Sequence, residues 1–477
     1  MRLKPPGRCY ILGIGGIAMA NLACLLKDIG FEVAGSDKGV YPPARDLLEE
    51  KGIPYRVGYD AGKVASQTGN TDFFVVGNAV SYGNQELDAL LLANAPVFSL
   101  PEVLRMFLIQ DKRAVVVAGT HGKTTTSSAI AWNLFEAGLD PSYFIGGIPR
   151  DTKQGYRIGQ GPFCVLEGDE YDTACFDKHP KAFHYAPFGL VFTHVEFDHA
   201  DIYRDLGHVR DAFRFLAGLV PPEGFLLASS EIQGLHGLLE GFRGRMYTFG
   251  DCQNDAFSIR DFRHTGDGAC FRVVGGPLGQ EVPIETPLRG MFNARNLTAA
   301  FGVSLLLGAE VRSAAQSLQA FHGVRRRVEI LAETGHATVI EDFAHHPTAV
   351  RAVLTAIRDS YPNREVRVIF EPRSNTMRRR ILQGALIDAL CLADAVFLRP
   401  PDRLDAVPED ERIDLQGVVQ TLQTRGVKAC IEPDTGRLVE KTLTPSLGSP
   451  FVLVLLSNAD TQAFKERILD ALAREKA

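Results

Sequence analysis

One short segment constrains this chain more than any other. The apolar run Ala114 to Ala118 is followed by Gly119-Thr120-His121-Gly122-Lys123-Thr124-Thr125-Thr126 and then by Ser127 to Leu134, an order that reads strand, tight turn, helix. Backbone N–H groups of a Gly-rich turn, added to the positive end of a helix dipole, cradle phosphate oxygens. In such a loop Lys123 reaches the outer phosphates and the Thr124 hydroxyl holds Mg2+. Val117 stands where the general phosphate-loop pattern has its first Gly, so the turn here is the shorter Gly-x-x-Gly-Lys-Thr. A chance Gly-Lys-Thr in an ordinary loop is the alternative, and the strand before it and helix after it count against that. Nucleotide chemistry is the first expectation.

The chain around this loop is too long for a single core. At 477 residues, 45% hydrophobic and 23% charged, it predicts about two to four domains. The net charge is −6 and no basic run exceeds Arg325 to Arg327 or Arg378 to Arg380, which argues against a nucleic-acid partner. No apolar stretch approaches the roughly 20 residues of a bilayer span, and Met1 to Tyr10 lack the pattern of a signal peptide. A cytoplasmic protein with no membrane partner is expected. Eight scattered cysteines without a Cys-x-x-Cys pair read as buried small hydrophobes in a reducing compartment.

Short β-branched runs alternate with amphipathic stretches, the α/β signature of parallel sheets covered by helices. The predicted fold is α/β with three domains, 1–107, 108–324 and 325–477, each built on a mainly parallel sheet: Rossmann-like, phosphate-loop and Rossmann-like in turn. Within the second, Glu223 to Pro287 reads as a β excursion before a helix around Ala294 to Leu307.

Chemistry-bearing residues collect at the carboxyl ends of the predicted strands, where open α/β sheets place their ligands. Gly13-Ile14-Gly15-Gly16 follows the first strand and Asp37 closes the next, close to a dinucleotide fingerprint. Its glycines would admit a pyrophosphate and Asp37 would accept a ribose hydroxyl, while a structural turn without ligand is the alternative. Glu167-Gly168-Asp169-Glu170 and Thr193-His194-Val195-Glu196-Phe197-Asp198-His199 close two further strands. Hard oxygens and an imidazole beside a phosphate loop suit Mg2+, although a zinc or di-metal hydrolase would draw on the same residues. Asp342-Phe343-Ala344-His345-His346-Pro347 and Glu371-Pro372-Arg373-Ser374-Asn375 stand where a substrate would be met, with Arg373 suited to gripping a carboxylate.

In this order, Gly119-Thr-x-Gly-Lys-Thr-Thr, Glu167-x-Asp-Glu170, Glu196-x-Asp-His199, Gly290-x-x-Asn293-x-x-Asn296, Arg326-Arg327 and Asp342-x-x-His345-His346-Pro347 resemble the Mur ligases, ATP-dependent, ADP-forming amide ligases of the bacterial cell wall. The resemblance covers nearly the whole length. It implies ATP on Gly119, Thr120, His121, Gly122, Lys123, Thr124, Thr125, Asn293, Asn296 and Arg327, and Mg2+ on Thr124, Glu170 and His199. It implies a UDP-sugar on Gly13, Gly15, Gly16, Ser36, Asp37 and Asn78, and a peptide on His345, Arg373 and Asn375. Lys123, Glu170, His199, Arg327, Asp342 and His345 would carry the catalysis. Ser36-Asp37-x-x-Val40-Tyr41-Pro42-Pro43, Gly77-Asn78-Ala79, Asp177-Lys178 and Glu371-Pro-Arg-Ser-Asn-Thr-Met377 resemble the branch that joins UDP-N-acetylmuramate to the murein tripeptide L-alanyl-γ-D-glutamyl-meso-diaminopimelate. The branch that joins L-alanine is the second reading. A monomer or weak homodimer is expected.

Two positions depart from the family. Phe292 stands where a His usually precedes the first Asn of the adenine motif, and Ser457-Asn458-Ala459-Asp460-Thr461-Gln462 replaces a Gly-rich turn. No lysine follows Asp201 until well past Phe215, so a metal-bridging carbamoylated lysine is not evident. A nicotinamide enzyme using the Gly13 turn, and a nucleotide-binding regulator without ligase chemistry, are the alternatives of other classes.

Overall fold

Three large sheets follow one another along the chain, and their central parallel strands, such as Phe73–Val76, Gly189–Phe192 and Phe451–Leu456, are continuous buried apolar runs. The computed structural model describes residues 3–275, 278–402, 404–443, 450–458 and 461–475. The first sheet has the order Tyr55–Val57, Glu32–Asp37, Arg8–Leu12, Phe73–Val76, Val97–Ser99, all parallel. Its strand order reverses beside Arg8–Leu12, so the Gly13 and Gly77 turns open at one crevice.

The central sheet has ten strands, with Arg113–Ala118 between Gly189–Phe192 and Phe163–Gly168. The segment Glu223 to Pro287 is a continuation of this sheet rather than a separate β unit. Phe225–Ser229, Arg245–Gly250 and Phe257–His264 add in parallel, and Ala269–Val274 and Val282–Thr286 close the edge antiparallel. Burial records the change: Phe225–Ser229 is buried throughout, whereas Val282–Thr286 alternates buried and exposed. The third sheet runs Glu329–Glu333, Ala337–Asp342, Phe451–Leu456, Glu365–Phe370, Ala395–Leu398, Lys428–Ile431, with only the first pair antiparallel.

One apolar cluster extends from Leu22 and Leu25 of the first unit to Val116, Leu166 and Phe192 of the central sheet. The other face of that sheet packs against the helices Lys123–Glu136 and Met291–Leu306, through Ile130, Leu134, Leu297 and Phe301. The third sheet keeps its own core, which Phe292 joins from the central unit. Elsewhere it meets the central unit through polar contacts: Ala200 N–H donates to Thr376 Oγ1 at 3.1 Å, and Asn375 Nδ2 donates to Asp201 Oδ2 at 2.7 Å. No helix among the described residues is long and apolar enough to cross a membrane.

The first crevice rests on Glu86, which is fully buried. Its carboxylate accepts from the Ser36 hydroxyl, from Arg56 and, at 2.8 Å, from the Asp60 N–H. Removing it strands three donors, and breaking a buried pair of this kind costs about 3–5 kcal/mol. Glu86→Ala is expected to lower the protection of the Arg8–Leu12 and Glu32–Asp37 amides in hydrogen exchange by that amount, and protection equal to wild type would refute the role.

Candidate active site

The phosphate loop is built by steric necessity. Gly119 has φ +148°, and a Cβ on it would lie 2.0 Å from Thr193 Oγ1; Gly122 has φ +81°, and a Cβ there would lie 2.5 Å from Asn296 Oδ1. Only glycine tolerates both conditions. Gly122 caps the helix Lys123–Glu136, whose first turn has neither a side-chain cap nor an acidic residue. Its leading N–H groups are left for an anion.

Lys123 folds back over this loop. Its Nζ lies 2.6 Å from the Gly119 carbonyl and 2.7 Å from Glu170 Oε2, and Glu170 Oε1 is 3.2 Å from His199 Nε2. Tyr203 donates to the Glu170 carbonyl at 3.1 Å, and Tyr171 packs on His199 with ring centres 4.1 Å apart. Burial opposes charge on all three groups, and in each the neighbouring groups outweigh it. Burial lowers the Lys123 pKa, but the charges of Glu170, Asp169 and Glu167 outweigh it and raise it above the ordinary value. Burial raises Glu170, and Lys123 and His199 more than reverse that. Burial lowers His199, and its bond to Glu170 with the Glu170 and Asp198 charges raises it overall.

Thr124 donates to Glu167 Oε1 at 2.7 Å, and Glu167 Oε2 accepts the Gly146 N–H at 2.7 Å. Arg327 Nη2 reaches Thr124 Oγ1 at 3.5 Å from the third unit, its guanidinium stacked 4.9 Å from the Phe343 ring centre. Val328 beside it has φ +50°, costly for a β-branched residue. Asp342 holds that turn by accepting the Val328 N–H at 2.8 Å and the Ala344 N–H at 2.6 Å, and burial raises its pKa against the pull of Arg327. His345 is pushed down to about 4 by burial and is neutral at physiological pH.

Of the residues singled out in the sequence, the structure gathers Lys123, Thr124, Glu170, His199 and Arg327 in this cleft. Asn296 lies beneath the loop, accepting from Thr126 at 3.2 Å, and Asn293 donates to the Arg289 carbonyl at 2.9 Å. Asn375 is spent on Asp201 and on Arg378. Among the described residues Arg373 makes two long ion pairs, 3.8 Å to Glu371 and 3.5 Å to Asp402, with its side chain 42% exposed. Ala459 and Asp460 lie outside the described residues.

Two placements differ from expectation in the first crevice. Asp37, expected on a ribose hydroxyl, instead accepts the Gly15 N–H at 2.8 Å and the Gly39 N–H at 3.2 Å, holding the turn in shape. Ser36 is fully buried with its hydroxyl on Glu86, so it supports the crevice from behind. Gly13, with φ +82°, and Gly16, at the uncapped start of the helix Ile17–Ile29, face the opening with exposed Asn78. Sequence reasoning missed Glu167 and Glu86. Glu167 stood inside a quoted motif as its signal, whereas nothing local marks Glu86.

An Nζ that turns from Glu170 to a phosphate makes a charged hydrogen bond worth roughly 1.5–3 kcal/mol. Lys123→Ala should therefore weaken binding of a nucleoside triphosphate by roughly 10- to 100-fold in calorimetry. Unchanged affinity would show that the loop holds no phosphate.

Comparison with known proteins agrees with this layout. Residues 8–112 match the Mur ligase family catalytic domain, 117–304 the Mur ligase middle domain and 326–458 the Mur ligase glutamate ligase domain. The chain is 34% identical to the UDP-N-acetylmuramate--L-alanyl-gamma-D-glutamyl-meso-2,6-diaminoheptandioate ligase of Escherichia coli, over 98% of this chain and 99% of that one. It is 33% identical to the UDP-N-acetylmuramate--L-alanine ligase of Renibacterium salmoninarum, over 99% of this chain and 97% of the other. The crystal structure of a murein peptide ligase from Psychrobacter arcticus superposes with a TM-score of 0.73 at 28% identity, covering 98% of both chains. The chain belongs to the Mur ligase family, whose members are ATP-dependent, ADP-forming amide ligases.

Proposed function

We propose that this ligase joins the lactoyl carboxylate of UDP-N-acetylmuramate to the amino group of L-alanyl-γ-D-glutamyl-meso-diaminopimelate. The observation that carries the reading is the convergence on one cleft of a phosphate loop, a buried Lys123–Glu170–His199 charge cluster and the Arg327 turn of the third sheet. A carboxylate oxygen attacks the γ-phosphorus of ATP and ADP leaves. The peptide nitrogen then attacks the acyl carbon, and phosphate departs with the former carboxylate oxygen. Such chemistry is largely positioning and neutralisation of charge.

Lys123, freed from Glu170, would sit on the outer phosphates, and Arg327 would bring a second cation when the third unit is seated. Asn293 and Asn296, at the foot of the loop, would lie toward the adenine, with Phe292 beside them in place of a polar contact. Neutral His345 would accept a proton from the incoming amine. The Thr124 hydroxyl and the Glu170 carboxylate are the hard oxygen donors that Mg2+ takes. His199 would join them through a ring nitrogen free of its proton. When bound, Mg2+ would supply neutralisation of the developing phosphate charge. Gly13, Gly15, Gly16 and Asn78 would meet the UDP pyrophosphate. The enzyme would work in the cytoplasm, as a monomer or weak homodimer, returning cell-wall peptide to synthesis.

The second reading, L-alanine as the amine, is favoured by the Renibacterium relative's similarity over 99% of this chain. Arg373 separates the two. Its guanidinium is half exposed and held only loosely, which leaves it able to grip a carboxylate that a peptide has and free alanine lacks. With both amines competing for UDP-N-acetylmuramate and ATP, the tripeptide is expected to win by roughly tenfold or more in kcat/KM, and Arg373→Ala to erase that margin. Mass spectrometry of the products decides: a dominant UDP-N-acetylmuramoyl-L-alanine would establish the second reading.

A further inference from the structure

Beside the phosphate loop, three side chains from three segments meet. His121 Nε2 lies 3.1 Å from Glu196 Oε2, and His346 Nδ1 lies 3.5 Å from the same oxygen. One ligand atom from each of the three fits within 4.8 Å of the others, and the two imidazole centres are 4.7 Å apart. His121 belongs to the phosphate loop, Glu196 to the loop after Gly189–Phe192, and His346 caps the helix Pro347–Ser360 of the third unit.

Hydrogen bonding alone leaves this cluster unbalanced. The His346 Nδ1 accepts the Thr348 N–H only in a long bond of 3.4 Å, which its lone pair would give up to a cation shared with the Glu196 oxygen, the two acceptors lying 3.5 Å apart. Its Nε2 is buried without a hydrogen-bond partner, and the residue is 6% exposed. A proton or a cation between ring and carboxylate would reconcile them. Burial disfavours the proton: it pushes His121 down to about 4 and lowers His346 as well, leaving both rings neutral. Neutral imidazoles with an ionised carboxylate are the donor set of a borderline divalent ion rather than of Mg2+. Tetrahedral bonds of about 2.0–2.1 Å place ligand atoms about 3.3 Å apart, and the two measured separations of 3.1 and 3.5 Å bracket that value.

We propose that His121, Glu196 and His346 form a binding site for a borderline divalent cation of the Zn2+ or Co2+ type, separate from the Mg2+ position and tying the phosphate loop to the third unit. A three-residue protein set leaves a fourth position open to water. Because two ligands come from the central unit and one from the third, the bound ion would hold the cleft shut. The inference does not depend on which amine the enzyme joins.

The test is titration of the full-length protein with Co2+ in the presence of saturating Mg2+, read by visible absorption and equilibrium dialysis, with Zn2+ as competitor. The expected result is one tightly bound Co2+ with the intense bands of a four- or five-coordinate site, displaced by Zn2+. Glu170→Gln, whose carboxylate is not one of the three ligands, should keep it. His346→Gln and Glu196→Gln should each weaken it by tenfold or more while circular dichroism shows the fold retained. Absence of a bound Co2+ in the wild type, its loss in Glu170→Gln, or wild-type affinity in either the His346 or the Glu196 variant would overturn the proposal.

Discussion

The buried contact between Lys123 and Glu170, with His199 on the same carboxylate, is the interaction on which the rest of the cleft depends. It ties the phosphate loop to the strand Phe163–Gly168 and, through His199, to the loop after Gly189–Phe192, so three neighbouring strand ends share one charge cluster. Burying such ions has a desolvation cost that the mutual attraction only about repays. Stability is therefore a poor reason for the cluster, and a poised exchange is a better one. A phosphate offers Lys123 a partner as good as Glu170, and a Mg2+ ion offers Glu170 a partner as good as Lys123. On the proposed function, the nucleotide would take the place of their contact.

The third unit is attached in a different way from the first. The first and central units share a continuous apolar core, whereas the third meets the center through Phe292, a few hydrogen bonds and the Arg327 and His346 side chains. Polar contacts of that kind are easier to make and break than a shared core. The Asp342-held turn at Val328 sets Arg327 3.5 Å from Thr124 across that polar boundary. Asp342 acts here through backbone geometry, since both of its oxygens are occupied by N–H groups.

What could be read from the sequence was what is local. Gly119 to Thr126 names its own strand, turn and helix, and the apolar runs of the three sheets could be located because parallel strands buried on both faces need little alternation. The continuity of Glu223 to Pro287 with the central sheet was hidden, because Gly-rich short strands look alike whether they extend a sheet or form one apart. Partner choice was hidden as well. Asp37 at a strand end has the same sequence whether it accepts a ribose hydroxyl or its own Gly15 N–H. Glu86, in a helix far from any motif, is needed only because Ser36 and Arg56 come to it across the fold. The meeting of His121, Glu196 and His346 likewise spans segments that no spacing rule connects.

The central claim is that this cleft moves the γ-phosphoryl group of ATP onto a carboxylate before the amine arrives. UDP-N-acetylmuramate carrying 18O in both lactoyl carboxylate oxygens tests it directly, with the released phosphate analysed by mass spectrometry after turnover with ATP and the peptide. Transfer of one labelled oxygen to each phosphate is the predicted result, the other remaining in the new amide. Phosphate released without label, while amide forms, would contradict the account.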